Sequence, residues 1–408
     1  MIKNKLKKWV LSAASVLLLC CVTFSYASTE DNDPVLSANN TSSVIYIGVI
    51  YSFNGEFQPF AVPSIRGVDI ALHQLNDAGG IDGHPVEAIT LNAMSNEDVA
   101  RDVAQKVAGI KDVKIAIGLN ADNMLAAVMP EFVRYNKLFI TSGATSDSLP
   151  EKYSDHLILT AFTDAMQGNA AASFAVNTLK AKDALVVTDT HLRYAQNVTA
   201  AFESKIKALK GKVIYSTGFS DGHLETSKLV QELSKYRDQA QVIYFAGNDV
   251  DARNAIIALR KAGFKQAVVG PDGFDAPELV GATDPEIENV YFTTHAVLIP
   301  GQTKSETTMK FMNEFKKQYH VYPKSAFSAL AYDSVMLAAK AIKETMSTKA
   351  ASKSDINTHD LYKVLHNLKD FSGASSMISY HDSNIPTKDI YVMKINHGKR
   401  ELVKTIQS

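Results

Sequence analysis

From Val44 onward the chain alternates between short apolar runs rich in β-branched residues and longer segments whose apolar residues recur at helical spacing. That alternation leaves few folds open. Strands joined by helix-length connections pair in parallel, and right-handed crossovers put the helices on both faces of the sheet. Residues 45–50 (IYIGVI) read as a buried strand. Residues 64–76 place Ile65, Val68, Ala71, Leu72 and Leu75 on one helical face, and Ala78-Gly79-Gly80 stops the helix. Strands are expected at 85–91, 113–117 and 138–141, with helices at 96–108 and 123–135. A second series puts strands at 184–188, 212–215, 242–246 and 267–270, and helices at 194–209 and 250–262. About five strands thus precede residue 160, and a second set begins near residue 183. The expectation is an α/β protein of two doubly wound parallel-sheet lobes. Ligands of open parallel sheets sit beyond the C-terminal strand ends, so the cleft between two such lobes is the default site. After residue 295 the pattern turns helical (307–319, 325–344, 360–367), and strands at 376–380 and 389–395 close the chain.

The N-terminus has a different grammar. Lys3, Lys5, Lys7 and Lys8 precede an apolar stretch from Trp9 to Phe24, and Ser25-Tyr26-Ala27 offers a small-x-small cleavage site. This reads as a secretory signal peptide over 1–27, too short in its apolar part for a spanning helix. Residues 28–43 read as a polar, flexible leader. Both cysteines, Cys20 and Cys21, and the one tryptophan lie inside the signal. Cleavage after Ala27 leaves 381 residues with 38 bases, 43 acids and no cysteine. Disulfides, thiolate metal sites and a catalytic cysteine are thereby excluded from the mature chain. The competing reading is a lipoprotein anchored at Cys20 or Cys21, but lipid attachment favours a small residue before the cysteine, and Leu19 and Cys20 stand there.

The charge balance lacks the basic excess of a nucleic-acid binder. The eleven histidines never fall at metal-ligand spacing, and no HExxH, G-x-S-x-G, GxGxxG or Walker loop occurs. Each histidine reads as a surface or satisfied polar residue, and Asp249 and Asp251 as a solvated, dipole-favoured helix start. No enzyme activity, catalytic residue, metal or cofactor is expected.

Several segments then occur in a telling order: the strand 45–50, the loop ending Asn54-Gly55, the helix near Gly67, and 75–83 (LNDAGGIDG). Ile117-Gly118, Ser142-Gly143-Ala144-Thr145, 189–194, Gly270-Pro271-Asp272-Gly273 and Ala331-Tyr332-Asp333 follow. Over about residues 44–405 the chain resembles type I periplasmic substrate-binding proteins of ABC importers, the leucine/isoleucine/valine-binding family. The resemblance implies interleaved lobes: 44–161 with 295–373, and 162–294 with 374–405, joined by a three-stranded hinge. It implies a small-molecule ligand, permease subunits as partners, a free monomer in the periplasm, and no nucleic acid.

It also implies a pocket. The family holds a ligand carboxylate with a serine at the start of the third helix and with an Ala-Thr turn, which Gly143, Ala144 and Thr145 preserve. Free N–H groups at a strand-to-helix turn suit an anion; Thr145 could equally be an ordinary cap. On the ammonium side Asp272 stands where the family has Glu, with Tyr194 and the Gly143 carbonyl; a Pro-Asp-Gly turn and a core aromatic are the plain alternatives. Two positions depart from an amino-acid pocket. The clamp serine is replaced by Asp122, which either faces the ligand or caps a helix starting at Asn123. Asn248 stands where relatives place an aromatic, Asn54 replaces a Ser/Thr, and Phe60 retains the aromatic cover. The expected ligand carries a protonated amine, and its other end is more polar than leucine or is not a carboxylate. The alternative is a sensing or regulatory envelope protein of the same fold, with an amide or small polar compound as ligand.

Overall fold

Seven consecutive buried residues form β1 (Ile45–Tyr51), the signature of a strand covered on both faces. The computed structural model describes residues 44–220, 224–349, 356–396 and 398–407; the signal and leader lie outside the described residues. β1 is flanked by β2 (Val86–Asn92), β3 (Val113–Gly118), β4 (Leu138–Thr141) and β5 (Leu157–Leu159) in the order β2-β1-β3-β4-β5, every pair parallel. The connecting helices are α1 (Gln58–Asp77), α2 (Glu97–Gly109), α3 (Asp122–Arg134) and the single turn α4 (Leu149–Lys152). Ile47, Val49 and Ile115 share a core with Val68 and Ala71 of α1, while Ile50 and Ala116 pack with Val103 and Val107 of α2 and Val128 of α3. α1 begins six residues before the apolar periodicity does. Pro59, which has no N–H, is tolerated because the first turn of a helix needs no intrahelical donor at that position.

The second lobe carries α5 (Asp164–Asn177), β6 (Asp183–Asp189), α6 (Arg193–Ala208), β7 (Lys212–Phe219), α7 (Thr226–Ser234), β8 (Val242–Ala246), α8 (Asp249–Lys261), β9 (Ala267–Gly270), α9 (Pro277–Val280) and β10 (Val290–Thr294). The chain then returns to the first lobe as α10 (Glu306–Tyr319), α11 (Phe327–Lys349) and α12 (Thr358–His366). A short ribbon of β11 (Phe371–Ser372) and β12 (Met377–Ile378) leads back to β13 (Ile390–Asn396) and β14 (Lys399–Ile406). The second sheet has the order β14-β13-β10-β9-β8-β6-β7. Its parallel part ends at β10, where β13 and then β14 add antiparallel. The sequence reading had no strand at 399–406; the pattern there is half exposed and lysine-rich, as suits a sheet edge.

The chain passes between lobes three times. The first and third are tied together by Tyr380 Oη, which donates to the Leu159 carbonyl at 2.7 Å, and by the buried Lys388, whose Nζ donates to the Thr160 carbonyl and Ser375 Oγ. Asp333 of α11 accepts from the backbone N–H groups of Ala374 and Ser375.

Candidate functional site

A cavity of about 170 Å³ lies between the lobes, at the C-terminal strand ends of both sheets. Lobe 1 lines it with Phe57, Phe60, Glu97, the 120–123 segment, Gly143, Thr145 and Phe327; lobe 2 supplies 191–194, Asn248, Asp272 and Gly273. Thr145 and Asp272, distant in sequence, therefore face one cavity.

On the lobe 2 wall Asp272 is only 2% exposed. Its Oδ1 accepts from Tyr194 Oη at 2.6 Å, and its Oδ2 lies 2.8 Å from His295 Nε2. Burial, opposed by the bond to Asp272, brings His295 down to about 4. The ring is thus neutral at pH 7, and its partner requires the proton on Nε2. Tyr194 stays protonated because burial and then the Asp272 charge push it well above its usual value, and it accepts in turn from the Gly273 N–H at 2.8 Å. His295 also stacks on Phe162, centroids 3.7 Å apart, at the end of the passage out of lobe 2. The Asp272 carboxylate is thereby fixed by Tyr194 of its own lobe and by His295 on the passage out of it.

On the lobe 1 wall the helix-cap alternative for Asp122 does not hold. The side chain does not cap α3: the cap residue is Ala121, and no side chain caps that end. Instead Asp122 Oδ1 reaches across to the loop after β4 and accepts from the N–H groups of Thr145 (2.9 Å) and Ser146 (3.0 Å). Its Oδ2 is buried with no hydrogen-bond partner. Burial pushes the carboxyl up to about 6, with the two amide bonds pulling the other way. Thr145 Oγ1 donates to Asp164 Oδ1 at 2.6 Å, and Asn197 Nδ2 donates to Asp164 Oδ2 at 3.0 Å. Asp164 lies well above the usual carboxylate range through burial, and next through the Asp122 charge. The turn read as an anion clamp thus spends its donors on carboxylates of the chain itself.

Of the ten residues singled out in the sequence, Phe60, Asp122, Asn123, Gly143, Thr145, Tyr194, Asn248 and Asp272 line the cavity. Two do not. Ala144 is buried behind it, its N–H weakly bonded to Thr141 Oγ1. Asn54 is on an exposed loop, where its Oδ1 accepts from Asn92. Gly143 is required by space, since a Cβ there would come within 2.9 Å of the Phe327 ring and closer still to Asn120. Phe327 in turn meets Phe60 edge-on at 5.1 Å. Asn248 Nδ2 donates to Glu56 across the lobes at 3.1 Å, and Asn123 Nδ2 to Glu97 at 3.0 Å. Asp249 corrects the reading of a solvated helix start: it is 1% exposed, its Oδ2 accepts from the Glu278 N–H, and burial lifts it to about 6. Sequence reasoning missed Phe57, Asn120, Asp164, His295 and Phe327. Nothing in the local pattern marks His295 as the partner of Asp272, because 22 residues separate the two in sequence.

Among the described residues no cluster of three or more His, Cys, Asp or Glu could hold a metal, and no helix is long and apolar enough to cross a membrane. Two open α/β lobes, three linking passages and a ligand-sized cavity at the facing strand ends are the plan of a two-lobed solute-binding protein. The chain matches the model of the family described as periplasmic binding protein over residues 44–400, and it belongs to that family: a binding protein of type I fold, not an enzyme. It is 24% identical over 87% of its length to Leu/Ile/Val-binding protein homolog 3 of Brucella melitensis, of which 92% is covered. Among solved structures it is similar to the branched-chain amino acid transporter substrate-binding protein LivJ of Streptococcus pneumoniae in complex with isoleucine, at TM-score 0.81 and 25% identity over 90% of this chain and all of that one. The leucine-binding protein LivK of Thermotoga maritima shares the fold at TM-score 0.79 and 24% identity, over 89% of this chain and 99% of that one.

Proposed function

We propose that the protein captures a small amine-bearing metabolite between its lobes and hands it to the permease subunits of an ABC importer, acting as a free monomer in the periplasm. The reading rests on Asp272, a buried carboxylate held by Tyr194 and His295 and turned toward the cavity. An ammonium docked there gains charge-assisted hydrogen bonds worth about 1.5–3 kcal/mol each. The names of the relatives, which bind leucine, isoleucine and valine, support the same class of ligand. The proposed ligand shell is Phe60, Asp122, Asn123, Gly143, Thr145, Tyr194, Asn248 and Asp272, with residues 44–161 and 295–373 on one side and 162–294 and 374–405 on the other. Because both walls contribute, ligand favours the closed form.

A thermal-shift panel of amino acids, amides and amines on the mature protein tests this. Amine-bearing compounds should raise Tm, and Asp272→Asn should weaken their binding by about 10- to 100-fold. Stabilisation confined to compounds without a cationic nitrogen overturns it. Delivery is tested by uptake of the labelled ligand in a deletion strain: uptake should be lost, whereas normal uptake with lost chemotaxis or signalling would make the protein a sensor.

A further inference from the structure

Oδ2 of Asp122 is a buried acceptor that the fold leaves unpaired. The residue is 5% exposed, it lines the interlobe cavity, and it stands on the lobe opposite Asp272. The donors beside it are committed. The Thr145 and Ser146 N–H groups go to Asp122 Oδ1, and Thr145 Oγ1 goes to Asp164. We infer that the Asp122 side chain occupies, as a permanent part of the protein, the place a ligand carboxylate would take, so that the ligand is an organic cation with no carboxylate, gripped by Asp122 from one lobe and Asp272 from the other. This rests on the amine-binding reading of Asp272 and narrows it.

The chemistry follows from counting charges and donors. A zwitterionic amino acid would bring its carboxylate against a fixed carboxylate whose amides are already taken. At about 4 Å and an effective dielectric near 20, that repulsion costs about three decades of affinity. A primary amine, diamine or amidinium brings N–H donors instead, and an unpaired buried acceptor is the group that gains most from one. The bases in the lining, Arg193 and His191, are exposed at the mouth, whereas Asp122 and Asp272 are buried. A cavity of about 170 Å³ admits a compact molecule of the size of a small amino acid or its decarboxylated counterpart.

The test compares matched pairs by titration calorimetry at pH 7.5 on the mature protein: leucine against 3-methylbutylamine and leucinamide, and ornithine against putrescine. The carboxylate-free member should bind at least about 100-fold tighter, a conservative share of the three decades above. In Asp122→Asn, and independently in Asp122→Ser, the ratio should collapse to within about tenfold, with circular dichroism melts confirming that each variant folds. If the amino acid binds as tightly as its decarboxylated partner in the wild type, or if the ratio survives both substitutions, the inference fails while the amine reading stands. If no compound of either series binds, or only nitrogen-free anions do, the amine reading fails and takes this inference with it.

Discussion

At the residue scale, Asp122 shows what a site costs the protein that carries it. Its carboxyl rises from 3.8 to about 6 because burial penalises the charged form more than two amide bonds repay. Asp164, Asp272 and Asp147 lie around it, and the first two also bear on each other. The native state therefore holds this proton more tightly than the unfolded chain does. The associated stability is fully present below about pH 4 and is lost as pH rises through about 6. Asp122→Asn keeps an oxygen for the Thr145 and Ser146 amides but cannot ionise. Its thermal unfolding should show a stability gain of up to about 3 kcal/mol at pH 7.5 and almost none at pH 4. An equal change at both values would mean that the carboxyl is not strained when ionised.

At the scale of elements, legibility followed period and burial. The strands at 45–51 and 242–246 are readable because both faces are covered and the runs are continuously apolar. α5 escaped notice because Ala170, Ala171, Ala172 and Ala175 spread small residues around it and leave little amphipathic contrast. The family resemblance points to Thr145, Tyr194 and Asp272, but no local pattern says which donor each meets. Asp122 reaches the loop after β4, and His295 reaches Asp272, through crossovers that no local window contains. The hinge has the same character. Lys388 is buried between the Thr160 carbonyl and Ser375 Oγ, burial lowers it to about 8, and Asp333 nearby opposes that shift. Removing the ammonium leaves the buried Asp333 without its counter-charge, which costs on the order of 3 kcal/mol. Lys388→Met should lose about that much in urea denaturation at pH 7. A loss below about 1 kcal/mol would show that the first and third passages are held together without the Lys388 ammonium.

At the scale of the whole molecule, binding is a contest between lobes that are shut and lobes that are apart, so contacts remote from the ligand also set affinity. Asp275 is such a contact. It follows β9 in lobe 2, is 3% exposed, and its Oδ2 accepts from Thr294 Oγ1 and, at 3.0 Å, from the Ala326 N–H just ahead of α11 in lobe 1. Beside it Ala276 packs with Phe60, Phe327 and Leu330 of the other lobe. Asp275 does not line the cavity. Its bond to lobe 1 can therefore reach the ligand only by favouring closure, and a ligand gains affinity in proportion to the fraction of molecules already closed. A cross-lobe hydrogen bond worth about 1 kcal/mol shifts that balance about fivefold. Asp275→Ala should raise the radius of gyration of the ligand-free protein in small-angle scattering and weaken ligand about fivefold, chiefly through faster dissociation. Saturating ligand should restore the compact form, because the cavity walls are untouched. An unchanged radius with unchanged affinity would mean that this bond merely packs the end of α11, and that closure is governed by Thr145–Asp164 and Asn248–Glu56 instead.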